Sequence, residues 1–441
     1  MSVVRVGICV LLAFAVLAFG AAEEWAQAVI EIGFSLLLVC FAVHAYLQKR
    51  DHVFFPPLLF PLGVFAGLVA IQLALHKTVS VYDTRIQLQL VLTYLILIFL
   101  LSQAYQRASQ WKKFIWFLMS LGFFVSILGI LQYLTFNGKL YWARTTHYGG
   151  YPFGPYANRN HFAGFAELLI PIALVPLVLG KVRRERVILV ALFALVPSVA
   201  LMLSASRGGI VSFTVEMILL FLLLLVRRIR GKHVLLGGLV VLGAVMMVSW
   251  IGVQQVLQRF STVRSSDIST DKRASMRRDT LRIFLDHPVL GTGLGTLPLV
   301  FPAYDSLYDA KFVNHTHNDY LETLSDTGVL GGLCCAWFLA LVFIQALRGI
   351  ADLGGSFGAA LNLSGLVGCC GLLVHSLVDF NLHIPANALL FFVAAYLSTA
   401  RLPSAAPGTP AASSSRRRRR KESLAASDKR YTVRKGVVSF S

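Results

Sequence analysis

The sequence predicts an all-α polytopic membrane protein of about twelve transmembrane helices, with a large helical loop between spans nine and ten. Three observations lead there. Of 441 residues, 56% are hydrophobic and only 14% charged, against roughly a quarter charged in soluble domains. Apolar runs of about 20 residues recur along the chain, each long enough to cross a bilayer as a helix. The runs are continuous and leucine-rich rather than alternating, which excludes a β-barrel. Helices are then the structures whose backbone groups are satisfied within one segment in lipid.

The runs lie near 4–22, 27–47, 54–75, 85–103, 112–134, 161–180, 186–204, 208–226, 232–254, 320–347, 356–378 and 384–401. The first could pass for a signal peptide; the later topology needs it as a retained helix. QKRDH (48–52), QRASQWKK (106–113), KVRRER (181–186) and RRIRGKH (227–233) fall on one side of the bilayer, AAEEW (21–25) and SASRGG (204–209) on the other. The excess of Lys and Arg makes the first side cytoplasmic, and with it both termini. Two long loops, 135–160 and 255–319, are then outside. Cys9, Cys40, Cys334, Cys335, Cys369 and Cys370 all fall in the spans, so no disulfide framework is indicated.

Residues 1–401 make up the membrane region, and 402–441 read as a disordered basic cytoplasmic tail with too little apolar surface to fold. Its run Arg416 to Lys421 suits the anionic inner leaflet. The net charge of +19 is therefore partly a topology signal, with membrane lipids as partners and no nucleic acid. No fixed-period repeat or repeated broken helix supports a secondary transporter.

Polar residues gather on the outer face. In the second loop, KRASMRRDTLRIFLDHP (272–288) reads as an amphipathic helix stopped by Pro288, with Met276, Leu281, Ile283, Phe284 and Leu285 as its apolar side. Arg273 and Arg277 lie one turn apart, as do Arg278 and Arg282. Headgroup anchoring accounts for most such arginines; one or two facing inward would hold an anion. Arg207, in the SASRGG hairpin, stands against the charge bias of short outer loops, and its planar donor fork suits phosphate oxygens. Asn158, Asn160 and His161 open the sixth span, where the alternatives are capping and a polar pocket wall. His315, His317, Asn318 and Asp319 open the tenth, and Asp379 lies between the last two spans. Four polar clusters thus converge on one face, and ionisable groups at membrane depth are functional candidates.

The chain has no DxD pair, HExxH or Walker loop, and GTGLG (291–295) reads as a turn. No metal and no cofactor are expected. Arginines with a neutral histidine suit transfer from a lipid-linked pyrophosphate donor. The arginines would stabilise the leaving pyrophosphate, and a histidine would take the proton of an acceptor hydroxyl.

NRNHFAGF (158–165), SASRGG (204–209), DHPVLGTGLG (286–295), HNDYLETLSDTGVLG (317–331) and HSLVDFNLHIPAN (375–387) resemble, in order, the O-antigen ligase and O-antigen polymerase superfamily of bacterial inner-membrane glycosyltransferases. The resemblance covers roughly residues 30–401. It implies a dozen spans with a helical periplasmic loop, and an undecaprenyl-pyrophosphate-linked glycan donor. It implies that His317 is the base, that Arg207 contacts the pyrophosphate, and that Arg273 is the loop arginine. Many members carry an aromatic residue where this chain has Arg277, so Arg273, Arg277 and Arg278 all stay open as the working group. Asp379 matches a frequent aspartate with a positional role. The first reading is ligation of the glycan to lipid A–core, without metal, at the periplasmic face. Polymerisation of repeat units and O-linked transfer to protein are the alternatives within the class. A transporter of envelope glycans would place charges in mid-span, whereas the span interiors carry few, such as Glu31, Glu167 and Glu216 near their ends or middles. An envelope-assembly scaffold would not need His317 or Arg207.

Overall fold

The computed structural model describes residues 1–50, 52–145, 151–227, 235, 238, 239, 242, 246, 270–307, 312–350 and 356–401. Most of the expected ninth span (232–254), Arg259, Arg264, Lys311 and the basic tail lie outside the described residues. Among those described there is no strand. The helices longer than one turn are α1 (Ser2–Leu17), α2 (Glu24–Leu47), α3 (Leu59–Ala74), α4 (Val81–Ala104), α5 (Ala108–Leu134), α6 (Arg159–Val178), α7 (Val187–Leu203), α8 (Arg207–Val226), α9 (Thr270–Asp286), α10 (Asp319–Gly349), α11 (Phe357–His375) and α12 (Pro385–Thr399). Eight are long and apolar enough to cross a membrane; α1, α3 and α12 are shorter apolar helices. The fold is that of an all-α polytopic membrane protein.

Hydrophobicity alone does not rotate these helices. On α2, Ile30, Phe34, Leu37 and Phe41 are buried while Val29, Ile32, Leu36, Val39 and Val43 are exposed. Both stripes are apolar, as expected of a helix with protein on one side and lipid on the other. By contrast, α6 is buried all round and packs against α5, α7, α8, α11 and α12. It is the centre of the bundle; α11 packs most closely on it, and α12 is the next most buried.

The expected loop helix forms as α9, but its inner face differs from the sequence reading. Met276, Asp279, Thr280 and Ile283 are buried, one stripe at helical spacing. Leu281 and Leu285 point away and are exposed. Met276 and Ile283 form a small core with Leu297, Phe301 and Val313. Asp279 enters that face because its Oδ2 accepts hydrogen bonds from the Ser306 amide (3.1 Å) and hydroxyl (2.8 Å).

Between α9 and α10, DHPVLGTGLG is a glycine turn, as read from the sequence: Gly291, Gly293 and Gly295 all have positive φ. It clasps the first turns of α10. Thr292 and Gly293 amides donate to the carbonyls of Ser325 and Asp326, both at 3.0 Å, and the Gly295 amide to the Asp326 carboxylate at 2.7 Å. The Gln72 amide, from α3, reaches the carbonyls of Leu290 (2.6 Å) and Asp326 (2.9 Å). At Gly328, with φ 64° and ψ −168°, α10 breaks and resumes. A side chain there would collide with the Val289 carbonyl, so the close approach requires glycine. The Val329 amide instead bonds the Pro288 carbonyl at 2.8 Å.

Candidate functional site

Three motif helices are entered through side-chain caps. Asn158 accepts from the Asn160 amide at 2.9 Å, Ser206 from the Gly209 amide at 3.1 Å, and Asn318 from the Leu321 amide at 2.9 Å. Each cap satisfies an amide that the helix leaves orphaned. The Asn318 amide group also donates to the Leu377 carbonyl at 3.0 Å, tying the start of α10 to the α11–α12 connection. The residues beside two of these caps, Ala205 and His317, have φ of 52°. Left-handed backbone on a non-glycine residue costs about 1–3 kcal/mol and clusters at functional sites.

Asp379 is the centre of the assembly and is buried. His317 Nδ1 lies 3.3 Å from its Oδ1, and the Phe380 amide donates to the same oxygen at 2.9 Å. Asn160 Nδ2 donates to Oδ2 at 2.5 Å. His161 Nε2 stands 3.8 Å from Oδ1, an ion-pair distance rather than a hydrogen bond. Burial would raise the Asp379 carboxyl, but the imidazoles of His161 and His317 outweigh it and hold it well below the usual carboxylate range. An ionised Asp379 accepts the Nδ1 hydrogen of His317, which leaves the lone pair on Nε2.

A second network adjoins the first. His315 Nδ1 meets Glu322 Oε1 at 2.6 Å. His383 gives Nδ1 to Asp319 at 2.7 Å and lies with Nε2 3.3 Å from Glu322. The ring of Phe380 joins the two networks. Its centroid is 4.3 Å from that of His315, 4.7 Å from His161 and 5.0 Å from His317. The ligand atoms of His315, Glu322 and His383 lie within 4.8 Å of one another, close enough to hold a metal ion. They also satisfy one another in a chain of close polar contacts that runs His315–Glu322–His383, with Asp319 taking the other nitrogen of His383.

Burial would lower the His383 imidazole, but Glu322 and Asp319 raise it to about 10. A raised folded value stabilises most below the unfolded imidazole value of roughly 6.5 and loses that stabilisation as pH rises through about 10. The melting temperature in detergent is expected to fall across that window. The decline should be shallower in His383→Gln; equal slopes in the two proteins would remove this role.

Among the expected site residues, the structure brings together His317, Asp379, Asn160, His161, His315, Asn318 and Asp319. Arg207 is exposed at the first position of α8, and the next residue, Gly208, packs against His375 and Val378 of the same assembly. The α9 arginines form a separate group. Arg277 Nε donates to the Arg273 carbonyl at 3.2 Å, and Arg282 pairs with Asp279 at 3.3 Å. Arg278 is exposed, whereas Arg273 Nε is buried with no hydrogen-bond partner among the described residues. Glu322 was not singled out by sequence reasoning. Its signal was its place one turn into α10, on the face that carries Asp319.

No curated protein matches the chain significantly. Residues 190–336 match the sequence model of the family described as O-antigen ligase. That segment contains Arg207, the four α9 arginines, His315, His317, Asn318 and Asp319, while Asn158, Asn160, His161 and Asp379 fall beyond it. The match agrees with the resemblance that the motifs carry: residues 190–336 are similar to the O-antigen ligase family.

Proposed function

We propose that this protein is a glycosyltransferase that moves a glycan from undecaprenyl pyrophosphate to a hydroxyl of lipid A–core, without metal, at the periplasmic face of a bacterial inner membrane. The observation that carries the reading is the His317–Asp379 pair, an imidazole oriented by a buried carboxylate beside the SRGG hairpin. The acceptor hydroxyl passes its proton to Nε2 of His317 as its oxygen bonds to the anomeric carbon. The bond from that carbon to the pyrophosphate oxygen breaks, and the electron pair leaves with the lipid pyrophosphate. Asp379 stabilises the imidazolium that forms. Arg207 meets the growing charge on the leaving group, and Arg273, whose Nε is buried without a partner among the described residues, joins it as the loop arginine. Arg277, Arg278 and Arg282 line the approach to the donor, with His161, Asn160 and His315 forming the wall around the base.

Orientation follows from the charge bias of the short loops: both termini are cytoplasmic and the clustered histidines periplasmic. Residues 1–401 carry the activity and 402–441 form a cytoplasmic tail. Purified protein in detergent is expected to transfer glycan from a lipid-pyrophosphate donor to lipid A–core, with chelator present and no ATP. Product formed instead on a second donor glycan, or on a periplasmic protein, would make it a polymerase or a protein glycosyltransferase. Loss of product in chelator, restored by a divalent ion, would replace metal independence with an ion held by His315, Glu322 and His383. No product from folded protein on any acceptor would sink the transferase reading.

A further inference from the structure

Beneath the site, three helices bring together ionisable groups that the transfer step does not use. Glu167 of α6 and His375, the last residue of α11, are completely buried, with His375 Nδ1 3.0 Å from Glu167 Oε1 and 3.3 Å from Oε2. Glu216 of α8 is also completely buried, against Gly371 of α11, where any Cβ would collide with its carboxylate. Neither Glu216 oxygen nor His375 Nε2 has a hydrogen-bond partner among the described residues. Removing such groups from water is costly, and a chain that keeps them in an apolar bundle obtains something in return.

The amino end of α8 rests on this pair. A Cβ on Gly208 would stand 2.7 Å from both Cδ2 and Nε2 of His375, and one on Gly209 2.5 Å from the Ala163 side chain and 3.2 Å from Glu167 Oε1. The two glycines of SRGG are therefore where the α8 backbone lies directly on the Glu167–His375 pair. Arg207 precedes them at the first helical position, and Ser206 caps the same turn.

We propose that Glu167 and His375 are positioning residues for Arg207: their buried pair is the seat that fixes the height and direction of the SRGG turn, and so where the guanidinium meets an anionic ligand. Asp379 shares this seat, because its amide donates to the His375 carbonyl at 3.0 Å. One buried pair thus sets the base-orienting carboxylate and the anion-binding arginine relative to each other. The proposal rests on the reading of Arg207 as a pyrophosphate contact.

Two readouts test it apart from that reading. The first is the reaction rate of Arg207→Cys with a charged, membrane-impermeant thiosulfonate, with the unsubstituted protein as blank and Arg144→Cys as control. Adding Glu167→Leu, or the milder Gly208→Ala, is expected to change the rate at position 207 at least about threefold and leave position 144 alone. Glu167→Gln, which keeps an acceptor for His375, should leave both rates unchanged. The second is binding of a polyprenyl pyrophosphate to protein in nanodiscs. Glu167→Leu and Gly208→Ala should weaken it about tenfold in the wild-type background and not at all in Arg207→Ala, since neighbours acting through one group are non-additive. A shifted rate at 207 with no pyrophosphate binding by wild type would keep the seat and remove the pyrophosphate reading. Unchanged rates at 207 in both Glu167→Leu and Gly208→Ala, or losses that add fully to Arg207→Ala, would overturn the proposal.

Discussion

His317→Ala is expected to lower glycan transfer by about 10²- to 10⁴-fold, the range of a lost general base, with little change in membrane insertion or melting temperature. The neighbourhood survives the substitution, because Asp379 keeps its bonds from Asn160 and from the Phe380 amide. Asp379→Asn separates orientation from basicity. An amide there can donate to Nδ1, which moves the imidazole hydrogen to Nε2 and removes the lone pair that takes the acceptor proton. Transfer should fall nearly as far as in His317→Ala, with the histidine still present. Transfer within about threefold of wild type in His317→Ala would assign the base elsewhere and reduce the HNDYL segment (317–321) to a helix entrance.

Arg207→Ala should cost about 10²- to 10³-fold in transfer, comparable to removing one preorganised donor from a site of developing charge. Arg207→Lys should recover only part of it, since an ammonium supplies the charge without the planar fork. Steady-state transfer against donor concentration distinguishes the cases. A loss confined to KM would mean ground-state binding of the donor, and a matching loss in kcat stabilisation of the departing pyrophosphate. Full activity of Arg207→Ala, in protein shown to be inserted, would remove the arginine from the reaction.

Much of this fold was legible because lipid imposes a simple rule: long apolar runs become helices, and the observed bounds follow them within a few residues. The facing of each helix was not legible, because Ile30 and Ile32 on α2 look alike in sequence while one faces protein and the other lipid. The loop helix shows the opposite error. Reading Met276, Leu281, Ile283, Phe284 and Leu285 onto one apolar side gave them a common facing, whereas Leu281 and Leu285 are exposed and Asp279 shares the buried stripe with Met276 and Ile283 through its bonds to Ser306. For the site, the polar clusters drew attention to one face and to His317, Asn160, His161 and Asp379, which the structure brings together. The partnerships were hidden, because His383 meets Asp319 across 64 residues and His375 meets Glu167 across 208. Such pairs leave no local periodicity. The glycines of SRGG and DHPVLGTGLG were legible as turns, but not the groups they rest on: each marks a close approach that a side chain would obstruct.

The break at Gly328 divides α10 into two mechanical parts. The short upper part carries Asp319 and Glu322 and is fastened sideways to the 288–295 turn and to α3. The long lower part passes on into the apolar bundle. Where a bilayer is thicker or thinner than the protein's apolar belt, spans respond by tilting. A continuous rod would transmit that tilt to the histidines at its tip. A rod jointed at Gly328 instead leaves the upper turns referenced to their lateral fastenings, so the site keeps its calibration as the surrounding lipid changes.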